Sequence, residues 1–102
     1  MIQLKRQPSH PGQILKEEFL DELGITQVKL AEELSTTFRT INEIINEKRS
    51  ISPEMALKLS KHFGTSPGLW LNLQNNYDLY KVYSKKKAEI NKIKLNKNLN
   101  VA

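Results

Sequence analysis

The sequence predicts an all-α fold, a compact five-helix bundle with a basic C-terminal tail. Three observations lead there. Apolar residues recur at spacings of three and four instead of alternating. Helix-start signals, Ser or Thr just before Pro or before an amphipathic run, recur along the chain, and Gly24 and Gly64 stand where two of those runs stop. No strand pattern and no internal repeat is visible. With 102 residues the chain makes one domain with a single core and no large cleft.

His10-Pro11-Gly12 opens the first helix, with Pro at an early position where its missing N–H does no harm. Leu15, Phe19 and Leu23 follow at spacing four and form its expected inner stripe, with Lys16, Glu17 and Asp21 on the other face. Thr26 caps a second helix, QVKLAEEL, whose Leu30, Ala31 and Leu34 point inward. After the break Ser35-Thr36-Thr37 comes a third helix of about two turns. Its Ile41, Ile44 and Ile45 bury, while Arg39, Asn42, Glu43 and Asn46 face away. Ser52-Pro53-Glu54 starts a fourth helix with Met55, Ala56, Leu59 and Phe63 inside. Thr65-Ser66-Pro67 starts a fifth, expected to run to Tyr83, on which Trp70, Leu73, Tyr77 and Tyr80 share a stripe. Leu71, Leu79 and Val82 lie off that stripe. A helix apolar on more than one side buries against two things, and in so short a chain the second is a further subunit.

The net charge of +5 is uneven. Residues 81–102 hold seven Lys and one Glu, whereas residues 1–80 hold nine basic and ten acidic residues. The expected division is therefore a nearly neutral folded domain, 1–80, and a basic helical extension or disordered tail, 81–102. Such a tail either attracts phosphates without regard to sequence or is a solvated end. There is no cysteine, no signal-peptide core and no apolar run of the roughly 20 residues a membrane span needs. These point to a cytoplasmic chain. His10 and His62 lie in different helices, the four glycines cradle no phosphate, and the paired carboxylates splay apart on their helices. No catalytic site, cofactor, metal site or small-molecule substrate is expected.

Residues 26–46 carry the strongest signal. A helix-turn-helix needs a small residue where two helices cross, a short turn, and a second helix anchored by apolar residues while its other side enters the major groove. TQVKLAEELSTTFRTINEII meets these demands in register, with Ala31 at the crossing. An ordinary helical hairpin in a bundle is the alternative that spacing alone leaves open. On the DNA-binding reading, Arg39 and Asn42 are the principal base readers, since Arg suits guanine and Asn suits adenine. Gln27 and Thr37 hold phosphates, and Phe38 meets a thymine methyl or packs inward. Thr40 and Asn46 lie on the same helix side, and Lys48 and Arg49 reach backbone phosphates from the following loop. Glu43, one turn after Arg39, braces that guanidinium or accepts from cytosine N4.

From Gln27 to Ile45 the register resembles the Xre/Cro-type repressors, with Ser35 in the turn where that family usually has Gly. HPGQILKEEFL, INEIINEKRSISPEMALKLSKHFGTSP and WLNLQNNYDL together resemble the HigA (VapI-like) antitoxins over roughly residues 8–80. The resemblance implies a lambda-repressor-like fold and a type II toxin–antitoxin module. In such a module the antitoxin neutralises a HigB-type, RelE-like mRNA endonuclease and represses its own operon as a homodimer on a palindromic operator. The other reading is a phage-type or stand-alone Xre-family repressor without a toxin partner. Leu71, Tyr77 and Tyr80 are the expected dimer contacts. A basic toxin is expected to meet Glu17, Glu18, Asp21 and Glu22 on the first helix, together with the N-terminal arm.

Overall fold

The computed structural model describes residues 7–98 as five helices, with no strand among them. The start of the N-terminal arm, residues 1–6, and the end of the basic tail, residues 99–102, lie outside the described residues. Helix α1 covers residues 11–23, α2 is Gln27–Glu33, α3 is Phe38–Ile45, α4 is Pro53–Phe63 and α5 is Pro67–Asn91. Leu15, Leu30, Ile41, Ile44, Leu59 and Trp70 form the fully buried centre, to which every helix contributes. The Trp70 indole N–H is satisfied at 2.8 Å by Thr65 Oγ1, so its burial leaves no polar atom without a partner.

Helix α1 departs from the expected stripe. Its middle, Leu15–Leu20, is π-helical, and the Asp21 N–H donates to the Lys16 carbonyl. A π turn takes in an extra residue, so the inward positions are Leu15 and Leu20, five apart. Phe19 is only partly buried, against Phe63 and Trp70 at centroid distances of 4.7 and 5.2 Å, and Leu23 is 60% exposed. The expected spacing-four stripe through Leu23 is thus corrected by the widened turn. Helix α5 continues past Tyr83 to Asn91, into the segment for which a helical extension was one of the two forms expected. It stretches the molecule to 54 Å along its long axis against 25 and 21 Å across.

The helix starts follow their sequence signals. Thr26, Thr37, Ser52 and Ser66 each accept a backbone N–H three residues on, at 3.1 Å. His10 caps α1 differently, its Nδ1 accepting the Gly12 N–H at 2.9 Å. Its ring is almost wholly buried and meets the Tyr77 ring edge-on, 4.8 Å between centroids. Burial lowers the His10 pKa below the usual 6.5; the Glu47 carboxylate works against this shift.

Gly12 is where α1 meets α3. A Cβ there would overlap the carbonyl oxygen of Ile44 and lie 2.8 Å from its carbon, so the two backbones touch directly. Helices α2 and α3 end in the same motif, with a residue of positive φ followed by a six-to-one backbone bond. After α2 the residue is Ser35 (φ 53°) and the bond is Thr36 N–H to Ala31 C=O, 2.9 Å. After α3 it is Glu47 (φ 61°), and the bond is Lys48 N–H to Glu43 C=O, 2.8 Å. Both are non-glycine residues in the left-handed region, which carries a strain of about 1–2 kcal/mol per residue.

Gly12→Ala should cost about 3 kcal/mol in urea unfolding, because the obstacle is main chain that cannot rotate away. Ser35→Gly should gain about 0.5–1 kcal/mol, the relieved strain less the added chain entropy of Gly. For His10 the folded state holds the neutral ring. Its contribution is intact above pH 6.5 and is lost as pH falls below 6.5 toward the lowered folded value. The chain should therefore lose stability across that acid window, and His10→Gln, which cannot titrate, should flatten this part of the profile in melts taken from pH 7.5 down to 5.

Candidate nucleic-acid interface

Helix α3 has one buried and one open side. Ile41, Ile44 and Ile45 are inside, and Gly12 allows α1 to press against its C-terminal turn. At its other end, Thr37 caps the helix and exchanges a 2.9 Å hydroxyl contact with Thr40. Phe38 is 49% exposed at the start of the helix and does not belong to the buried core.

The open side is a network. Arg39, whose side chain is 83% exposed, donates from Nε to Glu43 Oε2 at 3.2 Å. Arg49, from the loop after α3, donates to Glu43 Oε1 from Nε at 2.9 Å and from Nη2 at 2.6 Å. Hydrogen bonds from Arg49 and then from Arg39 hold the Glu43 carboxyl below the usual carboxylate range. Glu43 is therefore a charged bridge that aligns two guanidinium groups, while each retains free N–H donors. Arg49 was expected only as a phosphate contact; the structure ties it into the same surface as Arg39.

A second chain of bonds runs beside it. Asn42 Nδ2 donates to Gln27 Oε1 at 3.1 Å, and Asn46 Nδ2 donates to Asn42 Oδ1 at 3.1 Å. The Gln27–Asn42 bond joins the start of α2 to the middle of α3, so these two fix the angle between the helices. Asn42 is half-buried, whereas Lys48 and Asn46 are exposed. Gln27, Thr37, Phe38, Arg39, Thr40, Asn42, Glu43, Asn46, Lys48 and Arg49 thus lie along α3, at the start of α2 and in the loop after α3.

The other expected contacts are scattered. Glu17, Glu18, Asp21 and Glu22 are all exposed on α1, with Lys16 paired to Asp21 at 3.0 Å. On α5, Leu71 packs against the chain's own core, Tyr77 lies against His10, and Tyr80 is half-buried. Leu79 and Val82 are 47% and 54% exposed and line an open groove of about 330 Å³ with Asn75 and Asp78.

His10, expected to open the first helix, is its buried cap. One residue went unrecognised in the sequence: Gln74, a buried amide whose Oε1 accepts the Ile51 N–H at 2.8 Å. Gln74 carried a readable sign: it stands four residues after Trp70 and three before Tyr77, a polar residue inside an apolar stripe.

Comparison with known proteins places this geometry. A helix-turn-helix family model matches residues 15–70. Virulence-associated protein I of Dichelobacter nodosus is 43% identical over 82 residues, 80% of this chain and 75% of that protein. Antitoxin HigA-1 of Vibrio cholerae is 35% identical over 94 residues, 92% of this chain and 89% of that protein. The structure of Pseudomonas aeruginosa antitoxin HigA with the higBA promoter superposes with a TM-score of 0.83 at 39% identity, covering 91% of this chain and all of that one.

Proposed function

Because the chain belongs to the Xre-type helix-turn-helix family and, within it, to the HigA antitoxins, we propose that it is a DNA-binding antitoxin. Members of this family are regulators and antitoxins, and the chain is not an enzyme. It represses its own operon by seating α3 in the major groove of a palindromic operator, and it neutralises a HigB-type, RelE-like mRNA endonuclease. It works in the cytoplasm and needs no cofactor.

One observation carries the DNA reading: a helix whose apolar side is locked down and whose open side presents two guanidinium groups held by one carboxylate. Arg39, the most exposed of the three, reads a guanine edge. Glu43 supports it rather than repelling the DNA, because its charge is matched twice over by Arg39 and Arg49. Thr37 and Lys48 hold phosphates on either side, and Gln27 and Asn42 fix the helix angle and contact the backbone and bases. The chain pairs with a second copy along α5, where Tyr80 and the exposed Leu79 and Val82 provide the apolar surface. The acidic side of α1, with Glu17, Glu18, Asp21 and Glu22, suits a basic toxin and lies on a different helix from α3.

Arg39→Ala should weaken binding to the promoter DNA of its own gene by about 1–3 kcal/mol and leave random duplex nearly unaffected. Lys48→Ala should weaken both alike. Gel-shift titrations at fixed salt, with sedimentation to confirm a dimer at tens of micromolar, test these outcomes; an Arg39→Ala protein with full promoter affinity would remove α3 as the reader. For the toxin, co-purification with the product of the adjacent gene should succeed for the native chain and fail after charge reversal at Glu18 and Glu22. Retained co-purification would move the toxin surface elsewhere.

A further inference from the structure

We infer that Gln74 is a positioning residue for DNA reading, setting the place of Arg49 and, through Glu43, of Arg39. The inference rests on the assignment of α3 as the reading helix. Gln74 lies in the core half of α5, where its neighbours along the stripe are apolar: Trp70 is one turn before it, and Leu71 and Leu73 pack against the core. Instead the position holds an amide that is 96% removed from solvent and uses both of its ends. Oε1 accepts the Ile51 N–H at 2.8 Å, and Nε2 donates to Asp78 Oδ1 at 3.0 Å. The Asp78 bond fixes which end of the amide faces Ile51, so the acceptor is held toward the loop.

The loop is short enough for that bond to matter. At its start, the Lys48 N–H is tied to the Glu43 carbonyl at 2.8 Å. At its end, the buried Ile51 is tied to Gln74. Only Arg49 and Ser50 lie between these two anchors, so the backbone of Arg49 has little room to move. From there the side chain of Arg49 reaches Glu43, and Glu43 reaches Arg39. The order Asp78, Gln74, Ile51, Arg49, Glu43, Arg39 is thus a continuous run of polar contacts and short backbone from α5 to the open side of α3. The Gln within WLNLQNNYDL thus gives the buried Ile51 N–H its acceptor and, in doing so, ties α5 to the loop that carries Arg49.

The test uses the full chain and two duplexes, its own promoter DNA and a random sequence, at one salt concentration. Gln74→Leu keeps bulk but removes both bonds; Asp78→Ala leaves Gln74 Oε1 for Ile51 and removes only the bond that orients the amide. Gln74→Leu should lower promoter affinity about tenfold with little change on random DNA, and Asp78→Ala should lower it less. In an Arg49→Ala background neither substitution should lower promoter affinity further, since the effect passes through Arg49. Additive losses in that background, equal losses on both duplexes, or full promoter affinity in Gln74→Leu would overturn the inference. If circular dichroism shows Gln74→Leu unfolded, Asp78→Ala alone and with Arg49→Ala decides by the same non-additivity. Arg39→Ala on the same probes separates the two levels: undiminished promoter affinity there removes the reading helix itself, whereas a loss there combined with additive Gln74 effects removes only the role of Gln74.

Discussion

The direct contact between the backbone at Gly12 and the Ile44 carbonyl sets the geometry on which the rest depends. Two helices normally pack through side chains, 8–10 Å apart. Here the absence of a Cβ lets the first turn of α1 reach the main chain of α3, and His10 secures that turn by capping the Gly12 N–H. Helix α3 is therefore held at its C-terminal turn by rigid main chain, and at its middle by the bond from Asn42 to Gln27. Both supports act on the side facing away from solvent or on the flank, so the open side stays available. The polar cavity of about 260 Å³ beside His10, lined by Gln13, Glu47 and Tyr77 among others, marks the same junction of α1, the loop after α3, and α5.

The electrostatics of α3 follow from placement more than from composition. A lone Glu on a DNA-facing helix would be unfavourable near phosphates. Glu43 lies one turn after Arg39 and opposite Arg49, so the local sum is positive and the carboxylate serves to orient the cations. Exposed ion pairs of this kind contribute little to folding. What they contribute is a defined direction for two long side chains that would otherwise sample many rotamers.

Helix α5 has two characters. Its first half is core: Trp70 and Gln74 are buried, and Tyr77 covers His10. Its second half, continuing to Asn91, leaves the globule carrying lysines and the exposed Leu79, Val82 and Ile90. The tail that composition set apart from residue 81 onward is thus, up to Asn91, an extension of a core helix rather than a separate segment. Its helical form follows from being nucleated by a packed segment, which removes the cost of starting a helix in isolation.

Local signals legible in the sequence were those that act within one turn. The caps at Thr26, Thr37, Ser52 and Ser66, the stops at Gly24 and Gly64, the inward set Ile41, Ile44 and Ile45, and the open position of Arg39 all follow from spacing and side-chain chemistry. Tertiary structure decided what depends on a partner distant along the chain. The π turn that swings Leu23 outward answers the packing of α1 on the core, and a spacing rule built on 3.6 residues per turn cannot anticipate it. Gln74 meets Ile51 across 23 positions, Gln27 meets Asn42 across 15, and Gly12 meets Ile44 through main chain that no side-chain pattern encodes. A sequence shows which groups exist and which face of their own helix they take. Which distant group satisfies each of them is set only when the helices close on one another, because a buried polar atom must then find its partner at whatever surface has arrived there.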